Sequence, residues 1–579
     1  MVLLHGSLVV DIIEGKQLEP KVDRFFKRIE RGITASLDGI DPYCSLQLGY
    51  SKILQTPVVH NKADPIWNTH GEFPVNHEVD CIEFRTKAAK RGGLLGVIGK
   101  VQHLGYLEVS ARELIKRGRV EGWYRLGPYK SEAGEDSEDE NERVKEGKKG
   151  DEGEYGMIHF DLRFTPIERI VRNSPIDLKY SYYPVRKNAQ VKLYQDAHGD
   201  VEILRDNPVN DRYRAGDCWK DVAKHIMEAE DFIFICGWSV WADLVLVRDG
   251  SKYDGMKLGD MLTQKADDGV NVCVMVWDEV ASNKYYEGGL MGTHDEATFE
   301  YFQKTKVHAI KVPRSNDKAG PFADINDSLL FTHHQKCIIT TTQDRHHDRR
   351  RVIAYVGGLD LTTGRYDDPN HSLFRTLKGA HAPPDYWQAC ATLGERVGPR
   401  EGWHDIHAFT TGGAAWDIYE NFVSRWNRQA PDNMKKALRL RHEHHIISPE
   451  DEERIDEGSW DTQILRSINE SSAELSKRHI GLVRRRKALV DQSIHNAYVQ
   501  CIRNAKSFIY IENQYFLGSS HRWFSKSKGG FAEHLIPIEI ASKICAKMRA
   551  GERFYALVIM PLYPEGKSCI LTVFPQTFF

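Results

Sequence analysis

Residues 231–239 read DFIFICGWS, and residues 507–515 read SFIYIENQY. Each is a short run of β-branched and aromatic residues with a polar end, the composition of a buried strand. Each follows a helical pattern, at 218–230 and 494–506, and each leads to a second helix–strand pair. In the first copy, helix 262–268 precedes GVNVCVMVWD at 269–278; in the second, helix 544–550 precedes GERFYALVIMP at 551–561. The later strands begin at Gly269 and Gly551, 282 residues apart. The same α/β unit in the same order twice predicts two pseudo-equivalent lobes of one layered domain.

N-terminal to these lobes the pattern is different. Residues 8–13, 43–48, 81–85, 104–109 and 122–126 read as short strands separated by turns, the signature of an antiparallel β-sandwich. Residues 131–154 crowd Glu132, Glu135, Asp136, Glu138, Asp139, Glu140 and Glu142 into a stretch with few apolar residues. Such a run reads as a solvated loop. GMIHFDLRF at 156–164 then reads as a last strand, so the acidic loop interrupts the sandwich before its end. The expected organisation is multidomain: a sandwich over 1–165, a first lobe over 185–470 and a second over 490–579.

The 579 residues are 41% hydrophobic and 28% charged, with a net charge of −3, ordinary for globular protein and unlike a basic nucleic-acid binder. No apolar run reaches the roughly 18 residues of a membrane span, and the first ten residues lack a secretory pattern. The ten cysteines are scattered without a CxxC pair, which points to reduced thiols and a cytoplasmic setting. Membrane contact is therefore expected to be peripheral.

FTHHQKCIITT at 331–341 places His334 and Lys336 two apart at the polar head of a strand, hence on one side. An imidazole can attack phosphorus, and an ammonium can neutralise the non-bridging oxygens. His333 should face the other way and be structural. The surrounding segments are VGGLDLTTGRY at 356–366, NHSLFRTL at 370–377, GWHDIH at 402–407, KLYQDAH at 192–198 and IENQYFLGSS at 511–520.

Together these motifs resemble the plant phospholipase D family, in the branch that carries an N-terminal C2 domain. The resemblance implies hydrolysis of phosphatidylcholine and related lipids to phosphatidic acid and free head group, with the protein peripherally associated with membranes. It implies two HxKxxxxD motifs facing each other, one histidine forming a phosphohistidine and the other serving as acid and then base. His334 and Lys336 fall on the first motif, and Gln514 on a position beside the substrate phosphate. Asp196, His371 and His404 fall on positions associated with a calcium ion (Ca2+) in the catalytic domain.

Two departures follow. Thr341 stands where the motif has aspartate, and the second lobe holds no HxK. The residues after PEG, GKSCILTVFPQTFF, also leave the family pattern. The second lobe is thus expected to be incomplete and the chain weakly active or inactive. The alternative reading is a catalytically dead, lipid-binding relative; a nuclease of the same superfamily shares the HxK chemistry but not the N-terminal domain.

In C2 domains, loop carboxylates hold calcium against anionic lipid. Asp38, Asp41 and Asp64 are candidates here. The third loop, RTKAAKRGGLLGVIGK at 85–100, has no acid and offers Arg85, Lys87, Lys90, Arg91 and Lys100 instead. Electrostatic docking to anionic lipids is expected to replace calcium there.

Overall fold

The computed structural model describes residues 1–18, 40–89, 102–128, 155–170, 178, 181–199, 216–279, 282, 292–314, 332–344, 348–382, 385–388, 399–438, 445–452, 460–476, 481–485, 488–518 and 534–561. The acidic stretch 131–154 lies outside them, as do Asp38, Lys90, Arg91 and Lys100.

The N-terminal part is a sandwich of eight strands: β1 (Val2–Lys16), β2 (Asp41–Leu48), β3 (Ser51–Gln55), β4 (Ile66–Val79), β5 (Cys81–Ala89), β6 (Gln102–Ser110), β7 (Arg119–Arg125) and β8 (Met157–Pro166). One sheet runs β4-β1-β8-β7 and the other β3-β2-β5-β6, with every pairing antiparallel. Alternate residues face inward, as strand geometry requires: Leu4, Leu8, Val10 and Ile12 of β1 are fully buried. Phe84 and Phe160 stack across the two sheets with ring centroids 4.3 Å apart. The helix α1 (Ala111–Arg117) is capped by Ser110, whose side chain accepts from the Glu113 amide.

The second part is built on a seven-stranded sheet. Its strands are β10 (Val191–Gln195), β11 (Phe232–Gly237), β12 (Asn271–Trp277), β13 (His308–Val312), β14 (Cys337–Gln343), β15 (Arg350–Gly357) and β16 (Ile406–Thr411), with the short β9 (Val185–Ala189) outside it. The order is β10-β16-β15-β14-β11-β12-β13; β11, β12 and β13 are mutually parallel and the remaining pairings antiparallel. Helices α2 (Cys218–Glu228), α3 (Leu258–Asp267) and α4 (Asp295–Phe302) contribute apolar residues to one core cluster. The long α5 (Gly412–Gln429) packs Phe422 and Trp426 against Phe234 and its neighbours in another. Burial on both faces explains why β11 and β12 read as unbroken apolar runs.

The short α6 (Pro449–Glu452) leads to β17 (Trp460–Gln463), β18 (Ser467–Asn469), β19 (Leu482–Arg485) and β20 (Ala488–Gln492). The last three form a sheet, so the stretch that the sequence left between the lobes is ordered structure. Val483 of this sheet joins the core of the sandwich.

The repeat is seen in α7 (Ser493–Asn504), β21 (Phe508–Glu512), α8 (Ile536–Arg549) and β22 (Tyr555–Ile559). The strands pair in parallel, Phe508 against Tyr555, as β11 and β12 pair Phe232 against Asn271. Phe508, Tyr510, Tyr555 and Leu557 of this strand pair are exposed.

The sandwich is clasped to this second unit. Glu539, 1% exposed, pairs with Arg503 at 2.5 Å and His5 at 3.1 Å. Arg503 also donates to the carbonyls of Gly6 and Val75, while the Asn76 amide donates to Ser542. Burial would raise the Glu539 carboxyl, but His5 and Arg503 reverse this and hold it below its usual range. Its contribution is therefore present above the ordinary carboxylate value, about 4.3, and fades as pH falls through the lowered one.

Candidate functional site

His334 and Lys336 stand just ahead of β14, where the chain enters the centre of the sheet. The Lys336 ammonium is 3.3 Å from His334 Nδ1, so the two side chains do lie on one side. His334 is exposed, while Lys336 is buried. A buried ammonium needs a counter-charge, and Asp360 supplies it at 3.1 Å. Asp360 follows β15, and its other oxygen accepts from the amides of Trp238 and Ser239 at the end of β11. The acid thereby ties three strand ends into one rigid corner.

Surrounding protein and the Lys336 ammonium push the His334 imidazole down to about 4, so it is neutral at physiological pH. The Trp238 ring lies 6.0 Å away on one side. Arg365 stacks on Trp403 at 3.9 Å and adds to the positive field that depresses His334. His333 is buried, with Nε2 3.1 Å from both the Pro313 carbonyl and the Gln429 amide nitrogen, a structural position.

Thr341 is not part of this corner. Five residues along a strand span about 16 Å, and Thr341 lies toward the far end of β14, beside Met227, Lys265 and Arg350. Its hydroxyl is buried without a hydrogen-bond partner. Thr341 keeps the motif's aspartate position in sequence, while the carboxylate beside the His334–Lys336 pair is Asp360. Asp360 stood in the quoted VGGLDLTTGRY, but the spacing rule drew the reading to position 341 instead.

A second cluster lies between β10 and β16. Asp196, His371 and His404 bring one ligand atom each to within 4.8 Å of one another. His404 Nδ1 is 2.9 Å from one Asp196 oxygen, and His371 Nε2 is 3.5 Å from the other. Asp196 is fully buried, and burial raises its carboxyl above the usual range. Its Oδ2, the oxygen on the His371 side, is buried and has no hydrogen-bond donor. Asp196 and His371 both adopt left-handed backbone angles, φ +63° and +44°. Gly358 allows the chain to pass here, since a Cβ would lie 1.7 Å from an Asp405 oxygen. Asp405 in turn donates its amide to Asp196.

Glu512 of β21, a residue the sequence left unassigned, reaches His404 Nε2 at 3.6 Å from the second unit. Two carboxylates, one of them with an orphaned oxygen, fit a hard cation, with the imidazoles as additional donors. Gln514 lies exposed two residues beyond Glu512.

The chain is similar to known proteins over most of its length. A family profile described as Phospholipase D matches residues 225–571, and one described as C2 domain matches residues 6–126. Phospholipase D gamma 1 of Arabidopsis thaliana is 34% identical over 609 residues, covering 97% of this chain and 67% of that protein.

The chain belongs to the phospholipase D family.

Phospholipase D alpha 1 of Ricinus communis is 35% identical over 599 residues, covering 97% of this chain and 70% of that one. Phospholipase D beta 1 of Arabidopsis thaliana matches at 34%, with 54% of its length covered. By family this phospholipase D is a hydrolase with an N-terminal C2 domain. Among its described residues no helix is long and apolar enough to cross a membrane.

The C2 candidates fare differently from the catalytic ones. Asp41 is 4% exposed; its oxygens are 3.0 Å from His60 Nδ1 and 2.9 Å from the Asn61 amide, so it folds a turn. Asp64 accepts from the Gln17 amide at 2.7 Å. Both acids thus hold local backbone or side-chain hydrogen bonds in the sandwich. Arg85 sits inside β5 and makes two hydrogen bonds to Glu83, at 2.7 and 3.0 Å. Lys87 is half-buried on the same strand.

Proposed function

We propose that this phospholipase D cleaves phosphatidylcholine and related phospholipids to phosphatidic acid and free head group, with His334 as the attacking imidazole. The supporting observation is a neutral imidazole 3.3 Å from a buried ammonium that is itself held by Asp360. A group protonated only near pH 4 is a poor acid and a ready nucleophile at neutral pH. Lys336 neutralises the non-bridging oxygens as the phosphohistidine bond forms and the head-group alcohol departs. Protonating that alcohol falls to a second group.

Residues 1–579 carry one HxK at this site. General-acid assistance is worth ~100- to 10,000-fold. A polypeptide of these residues is therefore expected to release choline at least about 100-fold more slowly than a plant phospholipase D with both motifs. Choline release from mixed micelles measures this, and equal turnover by monomeric protein overturns it.

Asp196, His371 and His404, with Glu512 nearby, are proposed to hold calcium, which would screen the buried carboxylate and tie the two units together. Isothermal titration should show one calcium site that Asp196→Asn removes. An unchanged isotherm contradicts the assignment. Membrane docking through the basic residues of 85–100 remains the reading for Lys87, Lys90, Arg91 and Lys100. Sedimentation with anionic vesicles should then persist in a chelator, and strict calcium dependence counts against it.

A further inference from the structure

One side-chain cluster takes no part in the reaction above. Cys236 of β11 and Cys337 of β14 face each other directly across an antiparallel pair. Both are free thiols, 3% and 4% exposed, and the Cys236 thiol donates to the Gln335 carbonyl at 3.6 Å. Arg425 of α5 is 1% exposed, and its Nη1 lies 2.7 Å from the Cys236 sulfur and 3.2 Å from the Gln335 amide oxygen. Among the described residues no carboxylate pairs with Arg425. A buried guanidinium requires an anion, and Cys236 is the neighbour able to become one.

The Cys337 thiol and the Arg425 charge hold Cys236 below the ordinary thiol range. Burial drives Cys44, Cys218 and Cys273 the opposite way. A cavity of about 10 Å3, room for roughly one water-sized molecule, touches Cys236, Cys337, Lys336 and Asp360.

We infer that Cys236 and Cys337 form a peroxide-sensitive pair that closes to a disulfide beside Lys336. The Cys236 thiolate attacks one oxygen of hydrogen peroxide; the O–O bond breaks, hydroxide leaves and a sulfenic acid remains. Cys337 gives up its proton and attacks that sulfur. The S–S bond forms, the S–O bond breaks, and the proton and hydroxide depart as water. Two thiols lose two electrons, and one peroxide becomes two waters.

The register makes closure feasible. Facing residues in such a pair have Cα atoms about 4.5 or 5.5 Å apart, within the disulfide range of about 4.4–6.8 Å. Their Cβ atoms must draw in by about an ångström or less. That movement takes the counter-ion from Arg425 and shifts the strand head carrying Lys336.

The test treats the folded chain with hydrogen peroxide at neutral pH, alkylates free thiols and digests without reduction. The expected product joins the Cys236 and Cys337 peptides, two hydrogens lighter than their sum, and dithiothreitol removes it. It should form at least about tenfold faster than oxidation of Cys44, Cys218 or Cys273. In Cys337→Ser, dimedone should trap the Cys236 sulfenic acid. If both thiols stay alkylatable, or the other buried cysteines oxidise equally fast, the pair is not a sensor. No lipid turnover enters this readout, so its failure leaves the phospholipase reading untouched.

Discussion

Asp360→Ala is expected to lower the unfolding free energy by about 3–5 kcal/mol, because it leaves the Lys336 ammonium buried without a counter-charge. It also orphans the Trp238 and Ser239 amides, which Asp360 now satisfies at 3.0 and 3.2 Å. Urea unfolding reads the loss. Lys336→Met on its own strands the opposite charge and should also destabilise. Combining Lys336→Met with Asp360→Asn should recover part of the loss, since no unpaired charge is then buried. A coupling below about 0.5 kcal/mol in that cycle would show that the pair does not act as a unit.

The second large effect concerns the nucleophile. A phosphodiester with p-nitrophenyl leaving groups needs no proton on departure, so it tests attack without a general acid. Residues 1–579 are expected to give a burst of about one equivalent of p-nitrophenolate. His334→Ala should abolish it, a loss of at least about 100-fold. The pH dependence follows from the neutral state of the imidazole. Protonation removes the lone pair, and the value near 4 puts that loss on the acid side. The burst rate should be flat from pH 8 to about pH 5.5 and fall through about pH 4. A midpoint near 6.5 would mean that the Lys336 ammonium and the surrounding protein do not act on His334 as described.

Much of this architecture is legible in the sequence, because burial leaves a periodic imprint. The alternation of β1 and the unbroken apolar runs of β11 and β12 announce their faces. The repeat of helix, strand, helix, strand survives as β21 and β22 pairing in the parallel manner of β11 and β12. β4 is not legible: IWNTHGEFPVNHEV carries polar residues through its length, and only its pairing with β1 along most of that length makes it a strand.

The candidate site divides in the same way. His334 and Lys336 stand two apart in sequence, so strand geometry alone puts them side by side. Asp360 reaches them only because β15 returns antiparallel to β14, which no local spacing encodes. Glu512 meets His404 from a segment more than a hundred residues away. Thr341 is placed by the linear motif, while strand rise carries it toward the other end of β14.

The account rests on a phosphoryl group seated between His334 and Lys336. A crystal soaked with tungstate, a phosphate mimic, tests this most directly. The predicted result is an oxyanion within hydrogen-bond reach of both side chains, absent from Lys336→Met. Tungstate bound elsewhere, with this corner empty at saturating concentration, would contradict it.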